Sequence, residues 1–171
     1  MPDSPGADDN ATGVAGVLEI ARLLTELPAE NTIELIAFDF GEYHMVGSSK
    51  YAALQSETKE DILTVVNLDM IGYMSDEKNS QKVPEAVALV LPMVKRKVDE
   101  NEGKGNFVVC IANIRSEKHR DEFVAAMERY VPGRKLLSLL TPGNSEVLPE
   151  LRYSDHSSFW DKDYPAIFIS V

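Results

Sequence analysis

The sequence predicts a single α/β domain, a three-layer αβα sandwich around a mostly parallel or mixed sheet. Short apolar runs rich in branched and aromatic residues alternate with longer segments whose apolar residues recur at helical spacing. The 171 residues, 44% of them hydrophobic, allow one sizeable core and are too few for two ordinary ones, so residues 1–171 are read as one domain. Polar residues capable of chemistry gather just after the apolar runs, where open α/β sheets collect their ligands.

Val14, Val17, Leu18, Ala21 and Leu24 predict an amphipathic helix from Thr12 to Leu27, with Asn10 or Thr12 available as its N-cap. The branched and aromatic run from Thr32 to Phe38 follows Pro28 and predicts a largely buried strand. Ser48 to Leu54 predicts a short helix, and Ile62 to Leu68 a second buried strand ending at Asp69. Pro84 to Glu100 has the length and apolar spacing of a helix, which Pro92 should kink and the Gly103 and Gly105 region should end.

Phe107 to Ile114 predicts a third strand. A helix from Ser116 to Tyr130 follows, capped by the serine, with Phe123, Ala126, Met127 and Tyr130 on one face and Pro132-Gly133 as its stop. Lys135 to Leu140 predicts a fourth strand, Thr141 to Tyr153 a loop leading to His156, and Pro165 to Val171 a fifth strand.

The net charge of -11, from 28 acidic against 17 basic residues spread along the chain, argues against nucleic acid and anionic membranes as partners. Some of this negative charge is available to hold cations. The single cysteine, Cys110, lies in an apolar run and reads as a buried structural thiol. No apolar stretch approaches the ~20 residues needed to span a bilayer, and no signal peptide is visible, which leaves localisation open.

Three segments each place a hard metal ligand in a loop: Gly6-Ala7-Asp8-Asp9-Asn10-Ala11-Thr12-Gly13, Asn67-Leu68-Asp69-Met70-Ile71-Gly72 and Ser154-Asp155-His156-Ser157-Ser158-Phe159-Trp160. A fourth, from Phe38 to Ser48, adds Glu42. Taken singly each has a plain alternative. Asp8-Asp9-Asn10 before a helix is ordinarily a solvated cap, and a histidine flanked by serines is ordinarily a hydrogen-bonded loop residue. Asp69, between Leu68 and Met70, is costly to bury without a partner, which favours a ligand. Oxygen and nitrogen donors suit zinc, and a carboxylate between two cations offsets their repulsion. The helix that follows Asp9 further favours an ionised carboxylate at its N-terminus. Phe159, Trp160 and Tyr153 suit either a substrate pocket or, more commonly for aromatics near a strand, the core.

In order and spacing these motifs resemble the co-catalytic zinc aminopeptidases, whose relatives include glutaminyl cyclases and glutamate carboxypeptidases; the likeness covers nearly the whole chain. It implies a phosphorylase/hydrolase-like fold and a peptide or aminoacyl substrate. It also implies that Asp9 bridges two zinc ions, that Asp69 binds the first, that Glu42 and His156 bind the second, and that Asp155 orients His156 or a loop amide. The family carries two adjacent glutamates in the glycine-serine loop, the first a general base; here Gly41 occupies that position, and His44, where the family usually has glycine, is the nearest substitute base.

The family's further zinc histidine, in an upstream His-x-Asp segment, and its closing Tyr-His and Asp-Thr segment are not within these residues, so the chain reads as trimmed at both ends. Asp9, Glu42 and His156 then resemble the one-zinc set of the glutaminyl cyclases, and one zinc is expected rather than two. The activities implied are hydrolysis of N-terminal peptide bonds, a catalytically inactive relative that keeps the fold and one metal or binds peptides, or glutaminyl-cyclase-like acyl transfer.

Overall fold

A computed structural model describes residues 4–171. Its centre is a four-stranded mixed sheet ordered β1-β4-β2-β3, with β1 at Val65–Leu68, β2 at Phe107–Ala112, β3 at Lys135–Leu140 and β4 at Ala166–Ser170. β1 runs parallel to β4 and β2 parallel to β3, while β2 and β4 are antiparallel, with Val109 opposite Ser170. The carboxyl ends of β1 and β4 therefore share one end of the sheet, and those of β2 and β3 lie at the other.

Side-chain alternation sorts the core into two faces. Phe107, Ile111, Leu137, Leu139 and Ala166 pack with Ala52, Val94, Phe159 and Trp160 on one face. Cys110, Ala112, Ile167 and Ile169 pack with Leu68, Ile71 and Phe123 on the other. The first face is covered by α2 (Val46–Thr58), α3 (Glu85–Val90), α4 (Pro92–Glu100) and α6 (His156–Trp160). The second carries α1 (Ala11–Leu24) and α5 (Glu117–Tyr130). This is the three-layer arrangement that the alternation of segments predicts. Cys110 is fully buried in β2, and burial pushes its thiol up to about 12.

Several expectations are corrected. The run from Thr32 to Phe38 forms no helix and joins no ladder among the described residues. Ile33 and Leu35 are exposed, and the run is held at two points, by the Tyr51 hydroxyl donating to Glu34 and by Phe38 packing against Tyr51 and Phe159. Branched residues favour extended backbone, but a strand exists only with a partner. Pro92 splits the expected long helix in two rather than bending it: Leu91 leaves helical geometry (φ -124°, ψ 66°) and Pro92 starts α4. β2 stops at Ala112, followed by a 3-10 turn at Ile114–Ser116. Ser116 makes no side-chain cap, because its hydroxyl donates to Asn113 Oδ1 and accepts from the Ala166 amide. On α5, Phe123 is half-buried, but Tyr130 is exposed. The loop after β3 contains a 3-10 turn, Pro149–Arg152, and leads into the short helix α6.

Candidate metal centre

The first motif is laced onto the end of β1 by its polar side chains. Asn10 Oδ1 accepts from the amides of Gly13 at 3.0 Å, capping α1, and of Met70 at 3.2 Å, while its Nδ2 donates to the Leu68 carbonyl at 2.9 Å. Asp8 Oδ1 accepts from the Gly72 amide at 2.9 Å, and Thr12 Oγ1 accepts from the Ile71 amide at 3.1 Å. Three short polar side chains thus satisfy backbone groups on both sides of Asp69, which would otherwise be left unpaired where the strand stops. Asp9, between two of them, is exposed beside that junction.

The junction is tight. A Cβ on Gly13 would lie 2.4 Å from both Asn10 Oδ1 and the Leu68 carbonyl oxygen, and one on Gly72 would lie 2.3 Å from Thr12 Cγ2. Only glycine lets the start of α1 and residues 68–72 approach this closely.

Asp69 is half-buried. Its Oδ2 accepts from Ser154 Oγ at 2.6 Å, whereas its Oδ1 is buried with no hydrogen-bond partner. Asp155 is also half-buried, with an unpartnered Oδ1. Burial raises the Asp69 carboxyl above its usual range; the Ser154 hydroxyl opposes this, and the charges of Asp9, Asp155 and Glu42 add to it. Burial likewise raises Asp155, opposed by the Ser48 hydroxyl. Four carboxylates from four separate segments are therefore close enough to be felt at one of them.

Glu42 reaches this region on the turn between Phe40 and α2, which closes through hydrogen bonds from the Met45 amide to the Gly41 carbonyl and from the Val46 amide to the Phe40 carbonyl. Phe40, His44 and Met45 adopt left-handed backbone with φ of 53°, 61° and 53°. The resemblance expects glycine where His44 stands, and this conformation is the reason glycine suits the position. Gly41, Glu42 and His44 are all exposed. No hydrogen bond or ion pair among the described residues joins His44 to Asp9, Asp69 or Asp155.

His156, which the resemblance implies as a zinc ligand, lies in an aromatic setting. It is fully buried, stacked on Phe168 at 4.7 Å with its edge to Trp160 at 4.5 Å. Its Nε2 lies 3.0 Å from the Leu151 carbonyl and its Nδ1 lies 3.5 Å from Asn67 Nδ2, so both nitrogens face protein groups. Burial lowers its pKa to about 3, keeping the ring neutral. Residues 156–160 form a helical turn, which leaves Ser154 and Asp155 at the carboxylates and rotates the next side chain beneath the sheet. Phe159 and Trp160 are core residues, and Tyr153 is exposed.

Among the described residues, no three His, Cys, Asp or Glu side chains converge as a closed cation cage. At Asp69 the charges of Asp9, Asp155 and Glu42 are felt without the side chains meeting. The sequence reading passed over Ser154 and Asn67, although each lies two positions from a motif aspartate or histidine.

Comparison with known proteins agrees with this architecture. Residues 1–170 match the family model described as Peptidase family M28. The chain is 31% identical over 173 residues to the uncharacterized protein YfbL of Escherichia coli (strain K12), covering 98% of this chain and 48% of that relative. It is 43% identical over 82 residues to aminopeptidase YwaD of Bacillus subtilis (strain 168), covering 47% of this chain and 18% of that protein. Among solved structures, the zinc aminopeptidase BSAP from Bacillus subtilis superposes with a TM-score of 0.65 at 24% identity, over 99% of this chain and 33% of that one. The aminopeptidase from Aneurinibacillus sp. strain AM-1 gives 0.62 at 23% identity, over 97% and 31%. Likeness at these identities shows the shared fold, and the chain spans about half the length of the Escherichia coli relative. The match along almost its whole length shows that this chain belongs to peptidase family M28.

Proposed function

We propose that the chain carries the zinc-binding core of an aminopeptidase-type metallohydrolase acting on N-terminal peptide bonds. The observation that carries this reading is the pair of buried, unpartnered carboxylate oxygens, Asp69 Oδ1 and Asp155 Oδ1, within a group of four like charges. Such an arrangement costs free energy when empty and is relieved by a cation. Relatives named as aminopeptidase and as probable zinc metalloprotease support zinc as that cation.

Asp69 and Asp9 are the first-choice ligands, with Glu42 delivered by its exposed turn and Asp155 beside them. The resemblance adds His156, whose ring packs against Phe168 and Trp160 in this structure. We favour one ion, since the carboxylates offer a single concentration of negative charge. Bound there, zinc supplies Lewis acidity toward a carbonyl and lowers the pKa of water. The chain's own contribution is to hold Asp69 through the Ser154 hydroxyl, with Asp69 Oδ1 and Asp155 Oδ1 left free of hydrogen bonds.

Gly41 favours a second reading, a member that keeps the metal but hydrolyses weakly or only binds peptides. No side chain at that position can take a proton, and a general base contributes about 10²–10⁴-fold to rate. Glutaminyl-cyclase-like acyl transfer would need a base at the same place.

Elemental analysis of the purified chain after dialysis against a weak chelator tests the metal reading. About one equivalent of zinc is expected in the wild type and little in Asp69→Asn. A wild type that retains no zinc would overturn it.

A further inference from the structure

β3 is an edge strand: in the order β1-β4-β2-β3 it pairs with β2 alone among the described residues. The Thr141 amide donates to the Ala112 carbonyl at 2.8 Å, which fixes the sense of the alternation along the strand. Lys135, Leu137 and Leu139 share the orientation of Thr141 and turn their N–H and C=O groups toward β2, so Leu136, Ser138 and Leu140 turn theirs outward. Outward backbone groups of this kind are a template for another strand.

A cleft flanks this edge on each face of the sheet. One of about 400 Å³ lies beside α5, where Leu136 and Ser138 meet Val124, Met127 and Val131. The other, of about 390 Å³, lies beside α4, where Leu137 meets Val98 and Phe107. A strand laid along β3 would send alternate side chains to opposite faces, and so into the two clefts in turn.

The charge here departs from that of the whole chain. Lys97 lines both clefts, Arg134 the first and Lys135 the second, and none of the three forms an ion pair among the described residues. Arg134 donates to the Met74 sulfur at 3.3 Å and Lys135 to Asn101 Oδ1, both uncharged partners. The nearby Lys95 and Lys104 are instead paired with Asp99 and Glu102. Glu128 and Glu100 line one cleft each, which leaves a local excess of positive charge in a chain of net charge -11. A lysine such as Lys135 is a common guard of an edge strand, but Lys97, exposed on α4, is not part of the strand.

We propose that the outer edge of β3 is a docking site for an extended acidic segment of another protein, which adds to the sheet as a fifth strand with apolar side chains in the two clefts and carboxylates against Lys97, Arg134 and Lys135. Main-chain hydrogen bonds supply the affinity of such strand addition and the clefts its selectivity. The site is independent of the metal reading, since Asp69 follows β1 at the opposite edge of the sheet.

The probe is an acetylated Leu-Glu-Val-Leu-Glu-Val peptide carrying a fluorophore at its carboxyl end, which puts one carboxylate and two apolar side chains on each face. The control is the same peptide with lysine for glutamate. Fluorescence anisotropy should show saturable binding of the acidic peptide and binding of the control weaker by about 10-fold or more. Amide hydrogen exchange should slow at Leu136, Ser138 and Leu140 when the acidic peptide is bound.

Two variants locate the site. Ser138→Pro deletes an outward N–H that β2 does not use, a position where edge strands tolerate proline, and should weaken binding by about 10-fold or more. Lys97→Glu should weaken the acidic peptide by about 3–10-fold and tighten the control; it lies outside the sheet and carries the test if circular dichroism shows the proline variant unfolded. No saturable binding, equal binding of the two peptides, or affinities unchanged in the folded variants would overturn the proposal. A wild type that sediments as a dimer, dissociated by Ser138→Pro, would assign the edge to a second copy of this chain and overturn it as well.

Discussion

Gly13 and Leu68 meet so closely that the glycine hydrogen occupies the only space between them: a methyl group there would sit 2.4 Å from the Leu68 carbonyl oxygen. This contact seats the start of α1 against the strand end that carries Asp69. Gly13→Ala should therefore destabilise the fold by about 1–3 kcal/mol in urea unfolding, the usual cost of overpacking, and should weaken zinc retention as well. Gly41→Ala is the control, because a Cβ there meets nothing within 4 Å, and its unfolding midpoint should be unchanged.

The same open space at Gly41 allows a functional gain. Its backbone is not left-handed, so a glutamate side chain is accommodated without strain. Gly41→Glu should raise hydrolysis of an aminoacyl reporter by about 10²-fold or more if the metal site is otherwise competent. A folded, zinc-loaded variant with no gain would favour the peptide-binding reading.

The raised Asp69 carboxyl has a consequence in metal-free protein. Burial and neighbouring charges make the folded state hold this proton to higher pH than the unfolded chain does. The resulting stability is present below the unfolded carboxylate value and is lost as pH rises through the raised folded value. Asp69→Asn removes this titration. After chelation it should be more stable than the wild type at pH 8, by on the order of 1 kcal/mol, with the difference shrinking below pH 4. Thermal melts at the two pH values measure it, and a variant less stable than the wild type at pH 8 would contradict the assignment.

His156 titrates with the opposite sign. Its folded pKa is depressed to about 3 from the usual 6.5, so its contribution is complete above pH 6.5 and declines as the unfolded chain takes up a proton that the folded chain refuses. The loss is at most about 1.4 kcal/mol per pH unit. The stability advantage of wild type over His156→Asn should narrow steadily from pH 7 toward pH 4. A constant gap in urea titrations would mean that the ring is protonated in the folded state.

What could be read in advance follows from how local each cause is. Lys135 to Leu140 is a strand exactly as the sequence predicts, since its apolar run lies between the turn residues Pro132-Gly133 and Thr141-Pro142. Pro92 acts where proline must, having no amide hydrogen and a fixed φ. The run at 32–38 was not decidable in this way, because extended preference is local but pairing is not. Asp155 and His156 show the same limit at the site. Adjacent residues in a helical turn point about 100° apart, so the motif alone does not tell how each member of the pair is oriented. Asp69 was legible because a carboxylate between apolar neighbours needs a reason, whereas Ser154 and Asn67 are common residues whose roles arise only from contact.

The reversal between β4 and β2 gives the molecule two chemically unlike poles. Asp69 sits at one, and the exposed turn at Ile114 and Arg115 sits at the other. The lone native thiol is sealed inside the sheet, so a cysteine introduced at Ile114 would be the single accessible handle for a fluorophore or a surface attachment. A molecule immobilised by that handle would stand with the Asp69 end of its sheet turned away from the surface, the orientation needed to test what binds there.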